Sequence, residues 1–283
     1  MGSYPSRRLR SFLAGAIGCV IAQIGCGGAS AETRREHPEL AYLFADAGTT
    51  GTMVVHELTS DHYSILAPER ASTAFAPSST FKIPNTLIAL ETGAAKGMDE
   101  TFAFSGKPYL VRSKPFLPEG CNTEVRLTVA LQLSCIPVYQ ELARRIGVDT
   151  YNDWLTRLGY SSGQVSNDNL TEFWLNGGIR TTAFQQVEFL DRLVTGKLPL
   201  RPEHVRALAK ALTVEQTPEA VLHAKTGYVF TTIPEVGWYV GWVEHQGRIA
   251  TFALNLDMSK PDHAKARKEI VLSVLKHLGL FRS

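Results

Sequence analysis

The sequence predicts an α+β fold: one antiparallel sheet built from both ends of the chain, flanked by helices, with a separate helical lobe over about residues 90–220. Three observations carry that expectation. Strand-like runs occur at 51–67 and again at 221–257. Between them, apolar positions recur at the three- and four-residue spacing of helices. A last segment of helical pattern, about 262–278, stops at Gly279. With 44% hydrophobic residues over 283 positions, the chain has ample core material without a disulfide framework.

Residues 1–31 are expected to be a cleaved export signal. Arg7, Arg8 and Arg10 make a positive start, Phe12 to Ile24 is an apolar run broken by small residues, and Ala29-Ser30-Ala31 fits a small-x-small cleavage site. The run is shorter than the roughly 20 residues that span a bilayer. The alternatives are an uncleaved anchor and lipid modification at Cys26, where Gln23 fits poorly. Residues 32–283 then form a single exported, periplasmic domain with no membrane attachment. Losing the three signal arginines leaves 26 basic and 27 acidic residues, a net charge of −1. With no basic block, nucleic acid is excluded as a partner on electrostatic grounds. Only Cys121 and Cys135 remain in the mature chain. An oxidising compartment allows them to pair. The pairing needs Cα atoms within about 7 Å, and Cys135 falls inside a stretch read as continuous helix, which argues for unpaired thiols.

Residues 51–58 and 62–67 read as two strands around Thr59-Ser60-Asp61. Segments 79–93, 125–146, 150–158, 182–195, 202–212 and 216–220 read as helices or short turns. In 125–146, Leu127, Ala130, Leu131, Ser134, Val138 and Leu142 mark one buried helical face. Strands return at 221–229, 236–245 and 248–257, the last two joined by a Gln246-Gly247 turn. A ligand cleft is expected where the helical lobe meets the sheet.

There is no His-Glu-x-x-His, no Cys-x-x-Cys and no Gly-x-x-x-x-Gly-Lys-Ser/Thr, and the eight histidines are scattered. The expectation is therefore no metal and no organic cofactor. The chemistry concentrates elsewhere. In Ser79-Thr80-Phe81-Lys82 the two end residues share a helix face. A serine is a weak nucleophile and needs a neighbouring base. A lysine serves as one only after losing its charge, through burial or modification. Phe81, Ile83 and Leu87 supply apolar surroundings. Ser134 places a hydroxyl on an otherwise apolar helix. Lys225-Thr226-Gly227 offers a cation, a hydroxyl and close backbone approach at a strand edge. Each alone is weak, but the three occur in this order, 55 and 91 residues apart.

Together these motifs resemble the penicillin-recognising serine enzymes, the β-lactamases and penicillin-binding proteins. Glu172-Phe173-Trp174-Leu175-Asn176 matches the class A pattern for a deacylating glutamate, but class A also requires Ser-Asp-Asn where this chain has Ser134-Cys135-Ile136. The rest resembles class D, the oxacillinase-type β-lactamases: Ser79–Asn85, 137–147, Phe173-Trp174-Leu175, 186–190, Lys225–Gly227, 237–243 and 252–257. That resemblance covers the mature chain and implies a β-lactamase/transpeptidase-like fold hydrolysing β-lactams, and hence antibiotic resistance. It implies that Lys82 is carbamylated by CO2, within a wall of Phe81, Ile136 and Leu175 and with the Trp174 indole N–H as donor. Ser79 is then the nucleophile and the carbamate the general base for acylation and deacylation. The backbone N–H groups of Ser79 and Tyr228 form an oxyanion hole, worth roughly 3–4 kcal/mol per donor. Ser134 and Lys225 pass a proton to the leaving nitrogen, and Thr226, Gly227 and Arg267 bind the substrate.

Three positions depart from the class D pattern. Ile136 stands where valine is usual, an extra methylene that costs up to about 1–3 kcal/mol if unrelieved. Tyr160-Ser161-Ser162 replaces Tyr-Gly-Asn, and Tyr228 replaces an aromatic without a hydroxyl. The competing functions are a β-lactam sensor domain and a cell-wall transpeptidase, both of which acylate without efficient turnover. The oligomeric state is left as monomer or homodimer.

Overall fold

Strands from both ends of the chain meet in a single seven-stranded sheet. Its spatial order is Thr33–Glu36, His62–Leu66, Gly51–Glu57, Arg248–Asp257, Val236–His245, Ala220–Val229 and Thr213–Gln216. The structure is a computed structural model that describes residues 1–2, 32–160 and 162–281. Apart from Met1 and Gly2, the expected export signal lies outside the described residues, as does Ser161. The described residues from 32 onward cluster as one compact unit. The pairing of Gly51–Glu57 with Arg248–Asp257 joins the two ends of the chain, with Val55 opposite Phe252.

The central strands carry near-continuous apolar runs because both faces are covered. Val54, Val240, Ala253 and Trp238 face the helices of residues 82–212. Met53, Val55, Phe252 and Leu254 face the last helix, His263–His277, and its Val271, Val274 and Leu275. The helix Ala183–Val194 packs on the central strands from the first of these sides. It starts in a capping box in which Thr182 and Gln185 satisfy each other's backbone N–H groups.

Three local expectations are corrected. The sheet is mixed rather than purely antiparallel, because Thr33–Glu36 adds to His62–Leu66 in parallel. Thr213–Gln216 adds an edge strand beside Ala220–Val229, and the 216–220 segment holds the expected short turn between them, closed by Thr217 N–H to Ala220 O at 2.8 Å. The expected helix 125–146 is two helices, Leu127–Leu133 and Ile136–Ile146. Ser134 takes a left-handed conformation, φ 63°, between them. Its N–H bonds to Leu131 O at 3.3 Å and the Cys135 N–H to Ala130 O at 2.9 Å, the paired closure of a Schellman turn. That break removes the argument against a disulfide. Cys121 and Cys135 are bonded, with Cα atoms 5.4 Å apart and a sequence separation of 14. Closing a loop of that size restricts the unfolded chain by about 3 kcal/mol.

Candidate active site

Ser79 lies in the 3-10 turn Ser78–Phe81, which runs directly into the helix Lys82–Glu91. The first N–H groups of such a turn have no partner within it. Ser78 takes positive φ, 51°, and is fixed from two sides. Its N–H donates to Trp174 O at 2.8 Å and its hydroxyl to Tyr228 O. The turn is thereby tied both to the Phe173-Trp174-Leu175 segment and to the strand Ala220–Val229.

The Lys82 Nζ donates to Ser79 Oγ at 2.9 Å. Lys82 is completely buried, and burial, with the charge of Lys225 adding to it, holds its amine well below the ordinary lysine value. Its Nζ lies 4.9 Å from the centre of the Tyr139 ring. Tyr139 is one turn beyond Ile136 on the helix Ile136–Ile146, and its hydroxyl shares a hydrogen bond with Thr86. Phe81, Ile136, Leu175 and Trp174 are all buried. Trp174 stacks on Phe81 at 6.2 Å. Its indole N–H is buried without a hydrogen-bond partner among the described residues. A buried donor left unmade is costly, so an acceptor is expected to meet it in the working protein.

On the other side of the cleft, the Lys225 ammonium donates to Ser134 Oγ and, at 3.1 Å, to Thr226 O. Burial, then the Arg267 charge, lowers Lys225 to about 7. Arg267 is 9% exposed rather than solvated on the last helix. Its Nη1 donates to Gly227 O at 2.8 Å and to Trp238 O at 3.3 Å, bridging two strands. A Cβ at Gly237 would come within 2.9 Å of Arg267 Cδ, so this glycine leaves the arginine its place. Ser79, Ser134, Ile136, Thr226, Tyr228 and Arg267 line one cleft of about 210 Å³.

Gly227 sets how closely strand and turn approach. A Cβ there would lie 3.0 Å from both Pro77 O and Thr80 Cγ2. Gly227→Ala is expected to cost about 1–3 kcal/mol of stability through this crowding, read as a lowered melting temperature. An unchanged melting temperature would contradict this packing.

The low value of Lys225 has a consequence for stability. Unfolded, Lys225 keeps its ordinary 10.5, so from about 7 upward to that value the unfolded chain binds more protons than the folded one. Stability therefore rises with pH across this window, and Lys82 contributes with the same sign. Lys225→Met is expected to reduce the rise in urea midpoint between about pH 7 and pH 9.5. An equal rise in variant and parent would contradict the burial of its charge.

Several contributors carried no sequence signal. Ser78 looks like any serine beside Ser79, and Tyr139 is found only by stepping one turn on from Ile136. Phe116 and Phe230 also line the cleft and meet edge to face at 5.2 Å. The Tyr228 hydroxyl, the feature that departs from the class D pattern, donates to Glu235, which pairs with Arg112 at 2.6 Å. Tyr160 is not on the cleft: it is buried, donates to Gln186 Oε1 at 3.3 Å and packs against Phe81 at 5.6 Å. Glu172 makes no hydrogen bond to Ser79 or Lys82 among the described residues. Away from the cleft, His37, Glu39 and His277 bring one ligand atom each within 4.8 Å of one another, although Glu39 already occupies His37 Nδ1 at 2.8 Å.

Residues 49–276 match the family described as the penicillin binding protein transpeptidase domain. Beta-lactamase OXA-5 of Pseudomonas aeruginosa is 35% identical over 240 residues, 84% of this chain and 87% of that protein. Beta-lactamase OXA-48 of Klebsiella pneumoniae is 38% identical over 208 residues, 74% of this chain and 76% of that one. The chain belongs to the class D β-lactamases. Among solved structures, the class D β-lactamase YbXI from Nostoc superposes with a TM-score of 0.81 at 32% identity, covering 86% of this chain and 99% of that one. FUS-1 (OXA-85) of Fusobacterium nucleatum subsp. polymorphum gives 0.80 at 31% identity, with 88% and 100% covered. The class D β-lactamase fold is thus the α+β, transpeptidase-like arrangement expected from the motifs. As a member of this class the chain is a serine hydrolase. No helix among the described residues is long and apolar enough to cross a membrane.

Proposed function

We propose that this class D β-lactamase is an exported, periplasmic resistance enzyme that opens β-lactams through an acyl-enzyme on Ser79, with Lys82 working as a carbamate. The observation that carries this reading is a fully buried Lys82 amine, held by burial well below the ordinary lysine value and 2.9 Å from Ser79 Oγ, in a turn tied to Trp174, whose buried N–H lacks an acceptor among the described residues. A neutral amine adds CO2 at Nζ and releases one proton. Phe81, Ile136 and Leu175 provide the apolar wall and Trp174 the donor, so these residues fit such a group. When present, the carbamate supplies a base for the Ser79 proton and later for the proton of the deacylating water.

The chain's other residues do the rest. Ser79 Oγ bonds to the ring carbonyl carbon while the N–H groups of Ser79 and Tyr228 hold the developing oxyanion. The ring C–N bond breaks, and the nitrogen takes a proton from Ser134 Oγ, replaced from Lys225 Nζ. A Lys225 near 7 gives and regains that proton near neutrality. Thr226 and Arg267 hold the substrate carboxylate, drawn in by the Arg267 charge at the cleft. Water then bonds to the acyl carbon, the Ser79 ester breaks, and Ser79 regains its proton.

The test is stopped-flow hydrolysis of a chromogenic β-lactam with and without bicarbonate. Sustained turnover that rises with bicarbonate is expected. One burst equal to the enzyme concentration, with no turnover at saturating bicarbonate, would instead mean a sensor or transpeptidase.

A further inference from the structure

We propose that the Cys121–Cys135 disulfide is a positioning element of the active site, holding the Ser134 turn so that its hydroxyl stays between Lys225 and the bound substrate. The inference rests on the β-lactamase reading above. Ser134 is a non-glycine residue at φ 63°, a backbone region that side chains with a Cβ seldom occupy without support. The support begins at the next residue. Cys135 closes the turn through its N–H to Ala130 O and opens the helix that presents Ile136 and Tyr139. Its sulfur is bonded to Cys121, and both half-cystines are buried.

Cys121 lies in a segment that needs fixing as much as Ser134 does. Its N–H closes a turn on Pro118 O at 3.0 Å, and Pro118 and Phe116 line the same cleft as Ser134 and Ile136. The hairpin before it, Tyr109–Val111 with Lys114–Phe116, pairs only with itself and not with the main sheet. One covalent link therefore joins two walls of the cleft, one of them carrying the hydroxyl that Lys225 contacts. Without the link, the Ser134 turn is free to relax towards right-handed backbone, which swings Oγ away from Lys225. Displacements on the order of 1 Å in a reacting group cost up to about a hundredfold in rate.

The experiment compares oxidised enzyme, enzyme reduced with a phosphine, the reoxidised sample and the paired Cys121→Ser/Cys135→Ser variant. Single-turnover acylation is followed against pH, folding by circular dichroism, and carbamate content by labelled bicarbonate. Reduction is expected to slow acylation by roughly ten- to a hundredfold and to shift the limb of the pH profile that follows Lys225. The fold and the carbamate are expected to persist, and reoxidation to restore the rate. The paired variant should match the reduced enzyme and ignore reductant. Folded reduced enzyme that acylates at the oxidised rate with the same pH profile would overturn the proposal, whatever its melting temperature. Loss of the fold on reduction would overturn it too, since the bond would then be needed by the fold and not by this turn. Failure of the oxidised enzyme itself to acylate would count against the β-lactamase reading instead.

Discussion

Ser79→Ala is expected to lower β-lactam hydrolysis by a factor on the order of 10⁶, as when a serine hydrolase loses its nucleophile. The change removes one oxygen from the turn Ser78–Phe81 and little else. The fold should persist, because the turn is fixed by Ser78 through Trp174 O and Tyr228 O and not by Ser79. Binding should persist too, since Thr226 and Arg267 are untouched and Lys225 keeps its contact to Ser134. The expected variant therefore binds β-lactam without forming an adduct, which intact-protein mass spectrometry reads directly. A variant with more than about a hundredth of the parent rate would mean that another group attacks the ring.

Trp174→Phe is expected to produce the second largest effect, and a different one. The substitution keeps an aromatic ring on Phe81 but deletes the rest of the indole with its N–H, which has no partner among the described residues, and leaves a small cavity at a fully buried site. If the indole served packing alone, its loss would cost stability through that cavity and bicarbonate would change nothing. If it holds a carbamate on Lys82, its loss removes one hydrogen bond to a charged group, about 1.5–3 kcal/mol. The bicarbonate needed for half-maximal turnover should then rise roughly ten- to a hundredfold. Saturating bicarbonate should recover much of the rate, and without it acyl-enzyme should accumulate. A rate loss that bicarbonate leaves unchanged would assign Trp174 to the core.

The clustering of the candidate site residues was legible because its chemistry is written in side-chain types at fixed spacing. Ser79 and Lys82 are one helical turn apart whatever surrounds them, and Lys225-Thr226-Gly227 sits on a strand whose apolar pattern is plain. The class D resemblance of the 173–175 segment drew attention to Trp174. The Ser134 break was hidden for a physical reason. The helices on either side bury the same face, so Leu127, Ala130 and Leu131 run into Val138 and Leu142 with undisturbed spacing. The residue in left-handed backbone is also a serine, not the glycine that marks most such ends. With the break hidden, Cys135 looked helical and the disulfide looked unfavourable. The parallel edge strand was invisible for the opposite reason: all four residues of Thr33–Glu36 are exposed and carry no apolar signal. Arg267 is singled out only by the class D resemblance, and its burial depends on the room left by Gly237, a residue 30 positions away.

The most direct test of the central claim, that Lys82 carries a carbamate, is a carbon-13 NMR spectrum of the resting enzyme equilibrated with labelled bicarbonate. One enzyme-bound carbamate signal is predicted. It should be absent in Lys82→Ala and weakened in Trp174→Phe, and it should be lost on acidification together with activity. A fully active enzyme with no carbamate signal at saturating bicarbonate would contradict the account, and the base for both half-reactions would have to be sought in the unmodified Lys82 amine.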